Sequence, residues 1–306
     1  MHPGHASSGG HHDGGHNDGS HHDGGHHDSG GLESPLWWVV ESVGLTVLIL
    51  VLAAYLVGVH RHRVRGQWSR WRTTFWIAGL VCVGIGWAGP LAESARHGFI
   101  AHMGTHLLLG MLGPLLLVLA APGTLALRTL PTRGARVLSA VLRSPPVRVV
   151  THPVVAAVLN AGGLWLLYAT DLFELMHSSI ILHTAIHLHV LLAGLVFTVA
   201  MIGPDPNPHR ASLRTRATVL VLFIAVHSIL GKWLYANPLP GVAPSDARAG
   251  AQLMYYGGDA IDLVILVLLF AGWYPDSRFR SRLLPGNPSR ELGRRPVDPA
   301  RSPLES

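Results

Sequence analysis

Seven apolar runs, parted by short polar segments, dominate this chain. They are Trp37–Val59, Thr73–Leu91, Phe99–Leu119, Pro153–Ala169, Ile181–Ile202, Ala217–Tyr235 and Leu253–Trp273. A helix that crosses a bilayer needs about 20 mostly apolar residues, and each run meets or approaches that length, the fourth being the shortest. The pattern predicts an all-α membrane protein with seven transmembrane helices over residues 37–275. The flanks differ. Residues 1–36 contain four successive pentads, HHDGG, HNDGS, HHDGG and HHDSG, from His11 to Gly30. Gly, Asp and His bury little apolar surface, so this segment is expected to be a disordered extracytoplasmic tail. Residues 276–306, rich in Arg and Pro, are expected to form a disordered cytoplasmic tail.

Charge orients the helices. Arginines crowd alternate loops: Arg61, Arg63, Arg65, Arg70 and Arg72 after the first run, Arg128, Arg133, Arg136, Arg143 and Arg148 after the third, Arg210, Arg214 and Arg216 after the fifth, and seven in the C-terminal tail. The other segments hold only Arg96 and Arg248. Arg and Lys favour the cytoplasmic side, so the N-terminus is expected outside and the C-terminus inside. The first basic residue is Arg61, so no secretory leader with a basic start is expected.

Composition agrees. Only 13% of the 306 residues are charged, against 49% hydrophobic, whereas soluble domains carry about 25% charged residues. The net charge of +6 sits in loops between apolar runs and does not suggest nucleic acid. The single cysteine, Cys82, excludes an internal disulfide and a Cys-x-x-Cys site.

Twelve of the 21 histidines lie outside the N-terminal tail, and an ionisable side chain within a membrane marks a functional site by default. In the expected orientation, His102, Met103 and His106 fall in the outer half of the third helix, His183, His187 and His189 in that of the fifth, and His227 near mid-membrane on the sixth. Tyr255, Asp259 and Asp262 lie in the outer half of the seventh. His102/His106 and His183/His187 are i, i+4 pairs, each on one helix face. These four, with Met103 and His227, are candidate metal ligands, while Asp259, Asp262 and Tyr255 are candidates for orienting them or relaying protons. Asp259 and Asp262 could instead pair with Lys232, and His189 points away from the His187 face. His60, His62, His152 and His209 fall on the cytoplasmic side. In the tail, His11, His12, His21, His22, His26 and His27 are candidates for collecting metal. Histidine with methionine and no thiolate cluster suits copper. Zinc and iron accept imidazole too, and haem held between histidines of two helices is a further alternative. No hydrolase elbow, P-loop or His-Glu-x-x-His motif occurs, and the chain is not read as an enzyme.

Four stretches carry a family resemblance: HMGTHLLLGMLGPLLLVLAAPGTLALR (His102–Arg128), HSSIILHTAIHLHVLLAGLVF (His177–Phe197), GPDPNP (Gly203–Pro208) and QLMYYGGDAIDLVILVLLF (Gln252–Phe270). They resemble the multi-spanning CtaG family of cytochrome c oxidase assembly factors, over about residues 37–275. The resemblance implies a seven-helix protein of the bacterial plasma membrane that assists maturation of a haem–copper oxidase and handles copper for it at the outer face. Oxidase subunits or other copper chaperones would be the partners. Related helices also occur joined to copper-resistance transport domains, which keeps copper transport or tolerance as an alternative, beside a haem-binding redox protein and a scaffold.

Overall fold

A computed structural model of the protein describes residues 30–63, 67–206 and 208–283, with side chains over 36–63, 67–206 and 208–272. The tail histidines from His11 to His27 lie outside the described residues. Within them the chain forms helices and turns and no strand. The helices are α1 (Gly30–Arg63), α2 (Arg70–Trp87), α3 (Pro90–Ala95), α4 (Phe99–Leu119), α5 (Pro122–Thr129), α6 (Thr132–Leu142), α7 (Pro145–Val150), α8 (Pro153–Ala169), α9 (Leu172–Ser178), α10 (Ile180–Ile202), α11 (Leu213–Ala236) and α12 (Pro244–Leu283). Five are long and apolar enough to cross a membrane: α1 over Leu36–Arg63, α4, α10, α11, and α12 over Pro244–Gly272. A sixth crossing arises if α8 and α9, bent by 80° at their junction, count as one. The protein is thus a multi-pass helical membrane protein.

Three expectations change. The second apolar run breaks at Trp87, because Gly89 turns the chain with φ of 89° and Pro90 starts α3, where its missing N–H is harmless. The remaining α2 has 18 residues and opens on Arg70 and Arg72, so the seven runs reduce to five or six crossings by length and apolarity. The basic segment after Leu119 is not a loop but α5, α6 and α7. And α1 begins at Gly30, inside the segment assigned to the tail.

Helix α4 lies at the centre, against α2, α3, α10 and α12, with Met103 and Leu109 fully buried. Without water, helices gain little by burying apolar surface against each other, so close backbone approach carries the packing. Glycines supply it: Gly79 abuts Leu117 and Gly86 abuts Leu109, while a Cβ on Gly194 of α10 would stand 2.1 Å from the Gly110 carbonyl oxygen. Pro114, which has no N–H to donate, follows that carbonyl by four residues. The helix widens there into a π-helical turn over Leu108–Leu112, and the Gly113 N–H donates to the Leu108 carbonyl.

Two carboxylates fix helix starts, where unpaired N–H groups favour negative charge. Asp246 accepts from the Phe99 and Ile100 N–H groups at 2.7 and 3.2 Å, aligning α4 with the start of α12. At the opposite end Asp205 accepts from the Gly123 and Thr124 N–H groups and the Thr124 hydroxyl, at 2.9, 2.6 and 2.6 Å. One apolar cluster, including Met103, Tyr168, Phe173, Met176 and Met254, lies at the Phe99 end. Another, including Leu115, Phe197, Met201, Leu220 and Ile265, lies deeper.

Candidate functional site

The expected histidine set divides in two. On α4, His102 and His106 are both buried, but each meets different neighbours. His102 joins His187, His183 and His177 in a closed circuit. Ring centroids are 5.9 Å apart from His102 to His187, 4.2 Å to His183, 6.2 Å on to His177 and 6.4 Å back to His102. Deeper, His106 faces His227 of α11 at 6.3 Å. His227 has its place because Gly258 of α12 lacks a Cβ, which would come within 2.3 Å of its ring.

Hydrogen bonds orient the outer circuit. His177 and His187 donate from Nδ1 to the carbonyls of Phe173 and His183, at 2.8 and 3.0 Å. In a neutral ring this leaves Nε2 with the lone pair that binds metal. His102 Nε2 lies 3.1 Å from the Tyr168 hydroxyl, and that hydroxyl donates to Met103 Sδ at 3.9 Å. The direction of the His102–Tyr168 hydrogen bond follows the tautomer of the ring, and His102 Nδ1 is buried without a hydrogen-bond partner. His183 stacks on His187 with ring planes 11° apart and meets Trp37 edge-on at 5.0 Å.

A pocket of about 20 Å³ adjoins this circuit, lined by Trp37, Trp87, Arg96, Thr105, His183 and His187. That is room for one water-sized occupant. Two larger cavities open at the same end. One of about 660 Å³ reaches His183 past Glu41, Glu93, Arg96 and His97. Another of about 420 Å³ reaches His102 past His97, Glu174 and Asp246. His177 lines both. In the first, Arg96 pairs with Glu41 at 3.0 Å and lies 4.5 Å above the Trp37 ring.

The ligand chemistry fits copper, but the circuit is not closed around an ion. Among the described residues, no three His, Cys, Asp or Glu side chains converge on one metal position. For these rings to hold an ion they would have to rotate, above all by parting of the stacked His183 and His187.

Other candidates stand apart. Asp259 accepts from the Ser228 hydroxyl at 2.8 Å. Asp262 is fully buried, and neither of its carboxyl oxygens has a hydrogen-bond partner. The Lys232 ammonium lies 5.2 Å from the Tyr255 ring, and among the described residues it forms no ion pair with Asp259 or Asp262. Tyr255 lines a separate cavity with Lys232, Tyr235 and Tyr256. His189, as expected, is independent: its Nε2 donates to the Leu159 carbonyl at 3.1 Å, within a second π-helical turn over Val158–Gly162. His177 and Tyr168 are not among the candidate ligands that the sequence suggests. Tyr168 closes the fourth apolar run and His177 lies between the fourth and fifth, near the His183 end of the latter, a position that could have flagged them.

The family model described as cytochrome c oxidase caa3 assembly factor (Caa3_CtaG) matches residues 53–276. An uncharacterized protein of Mycobacterium leprae is 28% identical over 253 residues, covering 76% of this chain and 38% of that protein. Uncharacterized proteins of Mycobacterium bovis and Mycobacterium tuberculosis are each 31% identical over 191 residues, covering 60% of this chain and 29% of theirs. The chain therefore matches well under half the length of these relatives. No solved structure matches it.

Proposed function

The chain belongs to the family of cytochrome c oxidase caa3 assembly factors, and from that premise we propose that it assists maturation of a haem–copper oxidase in the bacterial plasma membrane by holding copper at its outer face. The observation that carries the proposal is the circuit of His102, His177, His183 and His187. Copper is cargo here, not a resident cofactor, and the protein's role is to bind and release it. Neutral imidazoles suit either oxidation state, and Met103 adds a thioether beside His102. An incompletely closed ligand set favours release, since a cargo site must exchange its ion with an acceptor. The cavities lined by His97 and His177 offer the way in, and oxidase subunits or a copper chaperone would be the partners. In this reading the tail histidines collect copper, and His106 with His227 forms a deeper station.

A second reading, passage of the ion across the membrane, is favoured by one observation: His227 and Asp262 are buried with no partner on any side-chain polar atom. An unpaired buried polar group is expensive, and a passing cation would satisfy it. One complementation assay separates the two. In a strain lacking the chain, the His183→Ala/His187→Ala variant should fail to restore oxidase activity at limiting copper and should recover when copper is added outside. Full activity at limiting copper contradicts the proposal. Loss of cellular copper together with oxidase activity favours passage.

A further inference from the structure

Helices α5 to α7 join the Leu119 end of α4 to the Pro153 start of α8, so they lie at the end of the bundle away from the His102–His187 circuit. No residue of α6 is buried. Its half-buried edge faces the body, where Ser139 and Leu142 share a cavity wall with Leu127, Pro206 and Pro208. The opposite edge is open. At about 100° per residue, Arg136, Ala140, Arg133, Val137 and Val141 follow one another around a single arc. One side of that arc is basic and the other apolar, with Val137 and Val141 exposed by 65% and 51%. The pattern continues through Arg143 into α7, where Arg148 stands exposed beside Val149 and Val150.

Among the described residues no carboxylate neutralises these arginines. The sequence has no Asp or Glu from His97 to Thr170, and among the described residues Arg133, Arg136, Arg143 and Arg148 form no ion pair. A helix outside the bundle, apolar on one side and basic on the other, has the make-up of one that lies in the plane of a membrane interface.

We propose that α6 and α7 form an anionic-lipid-binding surface on the inner leaflet, with Arg133, Arg136, Arg143 and Arg148 on headgroup phosphates and Val137 and Val141 at the acyl boundary. Charge selects the occupant, because four unpaired guanidiniums attract phosphate and repel a basic partner. Position selects it too, since the apolar helices that flank this segment place a bilayer beside it. Long arginine side chains reach headgroups while their stems stay near the apolar boundary.

The test uses the full chain in lipid nanodiscs. In a Cys82→Ser background, Val141→Cys carries a fluorophore that is quenched by brominated lipid. Brominated phosphatidylglycerol and brominated phosphatidylcholine are compared at one mole fraction. The proposal predicts about fivefold stronger quenching by the anionic lipid, falling toward parity in high salt and in the variant with all four arginines changed to Gln. Changing the same four to Lys should keep the preference, which separates charge from folding. Equal quenching by both lipids, or quenching by neither, overturns the proposal.

Discussion

At Tyr168, one hydroxyl links two candidate ligands: it meets His102 Nε2 and donates to Met103 Sδ. Partners of this kind fix which ring nitrogen carries the proton, and their loss typically weakens metal binding by about 10- to 100-fold. Tyr168→Phe should therefore lower copper affinity by roughly tenfold in competition with a chromogenic Cu(I) chelator. An unchanged affinity would show that His102 is not a ligand. Asp205 offers a contrasting case. Three hydrogen bonds converge on its carboxylate at the start of α5, far from the circuit of His102, His177, His183 and His187. Asp205→Ala should cost about 1–3 kcal/mol, read as a lower thermal midpoint in detergent, and leave copper affinity unchanged.

Among the helices, the crossing of α4 and α10 is the tightest test of packing. A Cβ at Gly194 would meet a backbone carbonyl that cannot swing aside, so Gly194→Val should destabilise the bundle by about 3 kcal/mol or more, with loss of folded protein in size-exclusion chromatography. That crossing also positions His183 and His187 against His102. The long helices α1, α4, α10, α11 and α12 were legible in the sequence, because a continuous apolar run needs no tertiary context to be read. The break at Trp87 was not, since Gly89 and Pro90 act through backbone conformation inside an otherwise apolar run. Nor were α5 to α7, whose amphipathic turns are short and rich in Arg. Helical spacing placed His102 with His106 and His183 with His187. It could not show which pair faces which, because that depends on the rotation of each helix about its axis. Hence the division between the outer circuit and the His106–His227 pair, and the arrival of His177 from α9, emerged only in three dimensions.

For the whole molecule, the arginine pattern and the histidine circuit belong to opposite ends of the bundle. In the proposed orientation, which follows the positive-inside rule, the histidine end is the outer face. Labelling of single cysteines in a Cys82→Ser background tests this in intact cells: His97→Cys should react with an impermeant maleimide and Arg136→Cys only after lysis, and the reverse order would invert the proposed site of copper handling. The most direct test of that proposal is X-ray absorption spectroscopy on copper-loaded, detergent-purified full-length protein whose tail histidines are changed to Ser. A site in the circuit predicts about one copper per chain with imidazole nitrogen neighbours at about 2 Å, lost in His102→Ala/His187→Ala. Absence of bound copper from this protein, or full occupancy in the double variant, would contradict it.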